Sequence, residues 1–262
     1  MNLHDYSNGR TLMVAYGMGV DSTAMLVGLH ARGIRPDATL FADTGSEKPT
    51  TYEYLAIINA WLVSVGFPTV TVVRRNEQIK VRAPYTTLEE NCTVNQTLPS
   101  LAFGYKSCSL KWKRDPQDAW TKRWEPARRA WARGEKVEKM IGYDAGPADS
   151  RRSKITDDAH YTYTYPLRTW GWARERCIAE IKAAGLPVPV KSACWFCPAS
   201  KKHEVEALAV EHPELYERAV AMEAGARNGK HGLGTVKGLG RKWSWSEVRL
   251  PVVQDEPGCD GF

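Results

Sequence analysis

Four short apolar runs, spaced by helix-length segments, constrain this chain more than any other feature. Residues 11–16 (TLMVAY), 38–42 (ATLFA), 69–74 (TVTVVR) and 137–142 (VEKMIG) read as strands buried on both faces. Glycines 17 and 19 follow the first run, and the segment DSTAMLVGLHARG predicts a helix capped by Asp21 or Ser22 and ended by Gly33. Leu55, Ile58, Leu62 and Val65 keep helical spacing up to the stop at Gly66 and Pro68. Strands alternating with helices through short links predict an α/β fold, a parallel sheet covered by helices. Beyond Tyr165 the texture changes. Residues 174–184 read as a helix, KSACWFCP as a tight loop, and 202–226 as one or two helices broken near Pro213. The segment from Lys230 onward is rich in glycine and tryptophan and has no clear period. The expected division is an α/β domain over 1–165 and a smaller helical, cysteine-bearing part over 166–262.

A chain of 262 residues can bury a core without covalent staples, so its six cysteines are not needed as disulfides. Hydrophobic residues make up 43% and charged residues 25%, which excludes a disordered or collagen-like chain. No apolar run approaches the ~18–20 residues that span a bilayer. The opening MNLHDYSNGR lacks the apolar core of a secretory signal. The expectation is a cytoplasmic protein without a membrane partner, in which cysteines bind metal or do chemistry. A net charge of +6 fits an anionic ligand, a nucleotide or a nucleic acid.

The charge is concentrated. Residues 106–136 hold ten Lys/Arg against four Asp/Glu, together with Trp112, Trp120, Trp124 and Trp131. Interleaved bases and aromatics can follow a phosphate backbone and stack nucleobases. The helical spacing of the last three tryptophans points instead to an amphipathic helix with its indoles facing inward.

The segment Tyr16-Gly17-Met18-Gly19-Val20-Asp21-Ser22-Thr23 links the first strand to the first helix. Glycines there let the backbone approach a ligand, and the helix start offers free N–H groups and a positive dipole end. The Gly-Lys-Ser/Thr ending of a Walker loop is absent, and Ser22 stands where a dinucleotide fingerprint needs its third glycine. A tight strand–helix turn without a ligand is the alternative. YGMGVDSTAML resembles the PP-loop of the adenine-nucleotide alpha-hydrolase superfamily. More closely, the chain resembles its phosphoadenosine phosphosulfate (PAPS) reductase-like branch. FADTGSEKPTTYEYL, SCSLKWK, IGYDAGPADSRR, YPL with WGWARERC, VPVKSACWFCP and HPELYE follow in family order, over residues 11 to about 220. Gly17 and Met18 depart from the family's serine and first glycine. Tyr143 to Pro147 replace the arginine usual after the fourth strand's glycine.

The resemblance implies a Rossmann-like α/β/α sheet binding an adenine nucleotide. Gly17, Gly19, Asp21, Ser22 and Thr23 would surround phosphates. Asp43, Thr44 and Glu47 would lie beside the nucleotide at the end of strand two, unless they only cap a turn. Gly142, Asp149, Arg151 and Arg152 would close the site from strand four, unless the arginines are surface charges of a loop. Asp21, Ser22, Asp43 and Arg151 are the expected catalytic residues, with Cys259 as a nucleophile in a glycine-bearing, mobile tail.

Cys194-Trp-Phe-Cys197 is a C-x-x-C turn, and Cys108 and Cys177 stand where the family carries cysteine. Four thiolates without compact zinc-ribbon spacing favour an iron–sulfur cluster of the [4Fe-4S] kind, with zinc as the fallback and His203 as a substitute ligand. Plain structural thiols and a redox dithiol are the alternatives. Cys92 reads as incidental. The leading functional expectation is an ATP pyrophosphatase-type enzyme that uses Mg²⁺ to adenylate a substrate, nucleic acid among the candidates, for sulfur transfer from a donor protein. A PAPS or adenylyl-sulfate reductase acting through Cys259 is the alternative. A non-catalytic nucleotide-binding or nucleic-acid-binding module is the third reading.

Overall fold

The computed structural model describes residues 9–80, 83–150 and 152–248. The chain divides into two compact units, one of residues 1–87 with 109–194, the other of 88–108 with 195–262. The expected boundary at 165 therefore moves to 194, and the second unit also takes in an earlier stretch of chain. The reason is local: the helix after residue 173 packs on the first helix of the sheet.

The first unit is built on β1 (Leu12–Ala15), α1 (Val20–Ala31), β2 (Ala38–Asp43), α2 (Pro49–Ser64) and β3 (Val70–Arg74). A short α3 (Arg75–Gln78) ends this run. The second unit takes α4 (Leu88–Val94), and α5 (Ser107–Ser109) lies at the junction. Back in the first unit, a π-helical turn over Leu110–Arg114 leads to α6 (Asp115–Thr121), α7 (Glu125–Ala132) and β4 (Val137–Ile141). β5 (Tyr161–Thr164), α8 (Pro166–Thr169) and α9 (Arg174–Ala183) complete the unit.

The sheet is wholly parallel, in the order β3-β2-β1-β4-β5. Alternation along each strand gives it two buried faces. Leu12, Val14, Phe41 and Met140 join residues of α1, α2 and α9 in one core, which includes Met25, Leu26, Ile58, Leu62 and Ile181. Met13, Leu40 and Val137 point the other way, into a core with Ala127 and Tyr161. This is an α/β/α sandwich of the Rossmann-like kind. The chain leaves β1 towards β2 on one side, and β4 continues to β5 on the other. The crevice between β1 and β4 is thus the topological switch point, where open parallel sheets bind ligands.

The basic tryptophan segment belongs to the second face. Trp120, Trp124 and Trp131 pack against that core, Trp120 and Trp124 stack at 5.5 Å, and Trp112 is buried. The segment forms four short helical pieces: α5, the π-helical turn and α6 follow without a gap, and α7 starts anew at Glu125-Pro126. Many of its bases are paired nearby: Arg114 with Asp115, Arg129 with Glu125 and Arg133 with Glu135. These indoles supply core packing and are not laid out as a platform for bases.

Strand β4 carries two charges in a buried place. Glu138 is 1% exposed and accepts a hydrogen bond from Arg10 at 3.2 Å. Its neighbour Lys139 is 4% exposed, bonds Asp118 at 2.9 Å and lies 5.1 Å over the ring of Tyr161.

In the second unit α10 (Lys202–Glu211) and α11 (Pro213–Asn228) pack together, with α4 against α11. Pro213 separates the two helices as expected from sequence. Glu223, 2% exposed on α11, accepts hydrogen bonds from the backbone N–H groups of Leu239 and Trp245 and from the Ser244 hydroxyl. That single carboxylate fixes the glycine- and tryptophan-rich stretch that shows no period in the sequence. None of the described helices is long and apolar enough to cross a membrane.

Candidate functional site

A cleft of about 440 Å³ opens at the C-terminal ends of β1 and β4, lined by residues of the first unit alone. Gly17, Gly19, Asp21 and Ser22 form one wall, Gly142, Tyr143, Asp149 and Arg152 another, and Arg174, Lys191 and Ser192 close it. The expected loop and strand-four residues therefore meet around one cavity.

The loop is held by its own chemistry. Helix α1 begins at Val20 with Gly19 as its N-cap, so Asp21 and Ser22 lie in the first turn and neither is the cap. Ser22 Oγ accepts from Gly17 N at 3.2 Å and donates to Gly19 O at 3.1 Å, which ties the two ends of the turn together. Thr23 is fully buried and shares a 3.0 Å hydrogen bond with the Tyr16 hydroxyl beneath the loop. It therefore braces the turn and does not line the cleft. Met18 adopts φ 60° with its side chain in the core. A left-handed backbone costs a residue other than glycine about 1 kcal/mol, and burial of the thioether chain offsets it.

Gly142 has a steric role. A Cβ there would stand 2.7 Å from Ser22 Cα and 2.8 Å from Ser22 N. Strand β4 passes so close to the first turn of α1 that only a hydrogen fits between them.

Two ion pairs face the cleft. Arg174 Nη1 donates to Asp21 Oδ1 at 2.8 Å, and Arg152 Nη1 to Asp149 Oδ1 at the same distance. The Arg152 guanidinium also lies 4.5 Å over the Tyr143 ring, and Tyr143 stacks on Tyr165. Burial raises the Asp21 carboxyl above the usual range, the Arg174 contact pulls it back, and Asp144 and Asp149 add to the rise. Arg151 lies outside the described residues, as does Cys259.

The residues expected at the end of β2 form a separate, closed cluster. Asp43 is 2% exposed and accepts from Gly45 N at 2.8 Å, Tyr52 Oη at 2.8 Å and Arg74 Nε at 2.9 Å. Thr44 Oγ1 donates to Glu47 Oε1 at 3.3 Å, and Lys113 Nζ reaches the same oxygen at 2.9 Å. Glu47 Oε2 is buried without a hydrogen-bond partner. An isolated antiparallel bridge between Glu47 and Cys194 draws Cys194 in, with Sγ 3.2 Å from Thr44 Oγ1. Asp43, Thr44 and Glu47 do not line the β1–β4 cleft. Asp43 and Glu47 Oε1 are engaged by Arg74, Tyr52 and Lys113, three partners that no spacing in the sequence identifies.

The thiols expected as ligands are divided between the two units. Cys177 is fully buried in the first core, 4.0 Å from the Trp172 carbonyl, and burial pushes its thiol up to about 12. Cys194 sits in the polar cluster just described. Cys108 and Cys197 belong to the second unit, where Ser100 Oγ accepts from Cys108 N and the Cys197 carbonyl accepts from Ser200 N. His203 is exposed at the start of α10, and Cys92 is buried on α4. Among the described residues no group of three or more His, Cys, Asp or Glu side chains could hold a metal ion. Metal ligation needs thiolate, and the environment of Cys177 opposes it.

Arg174 and Lys191 are the functional candidates that sequence reasoning misses. Each lies inside a segment quoted for its cysteine or its helix, and only the fold returns them to the loop. No protein-family model matches the chain, and no curated protein matches it.

Proposed function

We propose that this protein binds an adenine nucleotide in the β1–β4 cleft and cleaves ATP between its α- and β-phosphates, adenylating an acceptor. One observation carries the reading. A glycine turn, the start of a twelve-residue helix and three cationic side chains, Arg152, Arg174 and Lys191, converge on one cavity at the switch point of a parallel sheet. In this reading the backbone of Gly17 to Val20 cradles phosphate oxygens, and the arginines neutralise charge that builds on the departing pyrophosphate. Asp149 is the carboxylate on hand for Mg²⁺ arriving with ATP, which would supply further charge neutralisation. An acceptor oxygen attacks the α-phosphorus and pyrophosphate leaves. Sulfur transfer to the adenylated acceptor is the step that the PAPS reductase-like resemblance adds, with a sulfur-donor protein as the partner.

The test is direct. Purified protein incubated with ATP and Mg²⁺ should bind nucleotide in calorimetry and, with its acceptor, release pyrophosphate. Absence of ATP binding would overturn the reading. Release of sulfite from PAPS or adenylyl sulfate with a thiol reductant would replace it with the reductase.

A further inference from the structure

Arg174 is the first residue of α9, and its guanidinium spans from that helix to the first turn of α1. Asp21 takes only Nη1. Among the described residues Nε and Nη2 have no hydrogen-bond partner, on a side chain that is 45% exposed and lines the cleft. A guanidinium presents its donors in a fixed plane, so holding Nη1 leaves the other edge aimed as a unit. Asp21 itself is a poor neighbour for phosphate, because two anions in one cleft repel. Its charge is tolerable there only while a cation covers it. The arrangement resembles the way a carboxylate orients a histidine on its far side, with the working edge turned to the ligand.

Resting on the nucleotide reading of the cleft, we infer that Arg174 is a phosphate-binding residue and that Asp21 is its positioning residue rather than a ligand of the phosphates. The substrate class follows from the place. Arg174 lines the cleft with Gly17, Gly19 and Ser22, beside the start of α1, and so it addresses the pyrophosphate end of the ligand. The cleft should then discriminate ligands with linked phosphates from a nucleoside monophosphate.

Calorimetry with ATP, inorganic pyrophosphate and AMP tests this on the full-length protein, with Arg174→Ala, Arg174→Lys, Asp21→Asn and the double variant Asp21→Asn/Arg174→Ala. Melting temperature and circular dichroism report whether each variant folds. Arg174→Ala should weaken ATP and pyrophosphate at least tenfold and AMP less than twofold. Arg174→Lys should restore less than half of that loss on a logarithmic scale, because a point charge lacks the fork. Asp21→Asn should weaken ATP by a smaller factor, and the double variant should match Arg174→Ala alone, since Asp21 acts through the arginine. Unchanged ATP affinity in Arg174→Ala, or losses that multiply in the double variant, would overturn the inference and leave the nucleotide reading standing. A wild-type protein that binds neither ATP nor pyrophosphate would bring down both. Should Arg174→Ala fail to fold, Arg174→Lys decides: wild-type binding of pyrophosphate by that variant refutes a role for the guanidinium fork.

Discussion

The two acidic clusters at the C-terminal edge of the sheet make an instructive pair. At the end of β2, Asp43 and Glu47 are buried and bonded to Arg74, Tyr52 and Lys113. Around the loop after β1, Asp21 and Asp149 are also paired with bases, but they line an open cleft. Both clusters come from motifs of the same kind, a strand end followed by a turn rich in small and acidic residues. The difference lies in what covers them. The β2 cluster is covered by Lys113 from the π-helical turn and by Cys194 at its isolated bridge, whereas the loop after β1 faces a cleft of about 440 Å³. A carboxylate at a strand end thus serves stability or chemistry according to what covers it.

That contrast can be broken by substitution. Asp43→Ala should have the largest effect on stability. It removes the acceptor for a backbone N–H, a tyrosine hydroxyl and a guanidinium, at a cost of about 2–4 kcal/mol. Chemical denaturation should show that loss, and ATP affinity in the cleft should fall less than threefold. A large loss of affinity with native stability would move Asp43 into the binding machinery and erase the contrast.

Gly142→Ala should act in the opposite sense. Its new Cβ meets backbone atoms of Ser22, which cannot rotate away, so the first turn of α1 must shift at about 1–3 kcal/mol. Nucleotide binding should drop by more than tenfold, well beyond what the stability change explains. Retention of wild-type affinity would mean that the loop tolerates displacement and that its position does not define the site.

The smallest effect concerns pH. Burial raises the folded-state pKa of Asp21 above its unfolded value of about 3.9. The folded protein therefore holds this proton more tightly. The stabilisation this gives is complete below the unfolded value and is lost as pH rises through the folded one. Asp21→Asn should flatten that part of the stability profile, read as urea midpoints between pH 3.5 and 6. An unchanged slope would show that Arg174 already cancels the cost of burial.

Much of the architecture is legible in the residues. The four runs become β1 to β4 because strands covered on both sides are rich in apolar residues, with Glu138 and Lys139 of β4 as paired exceptions. β5 escapes because YTYT is short and polar, as an edge strand can be. Gly17, Gly19, Asp21 and Ser22 are recognisable from the turn, and Gly142, Asp149 and Arg152 come to the same cavity. Arg174 is not legible, since it is one of two arginines in a helix-forming stretch and nothing in their spacing says which returns to Asp21, 153 positions earlier. The closed cluster on β2 is equally hidden: Lys113 lies in a basic run, and its pairing with Glu47 depends on the path of a π-helical turn.

The adjacent charges of β4 carry a last consequence, for how the sheet finds its register. Glu138 and Lys139 point to opposite faces, towards Arg10 and Asp118. Sliding this strand by one position between β1 and β5 would exchange the faces. Lysine would then be carried towards Arg10 and glutamate towards Asp118, two like-charge encounters for side chains that are themselves buried. A purely aliphatic strand would have no such objection to slipping. The pair therefore acts as a key that admits one alignment, in the central pairing on which the cleft depends.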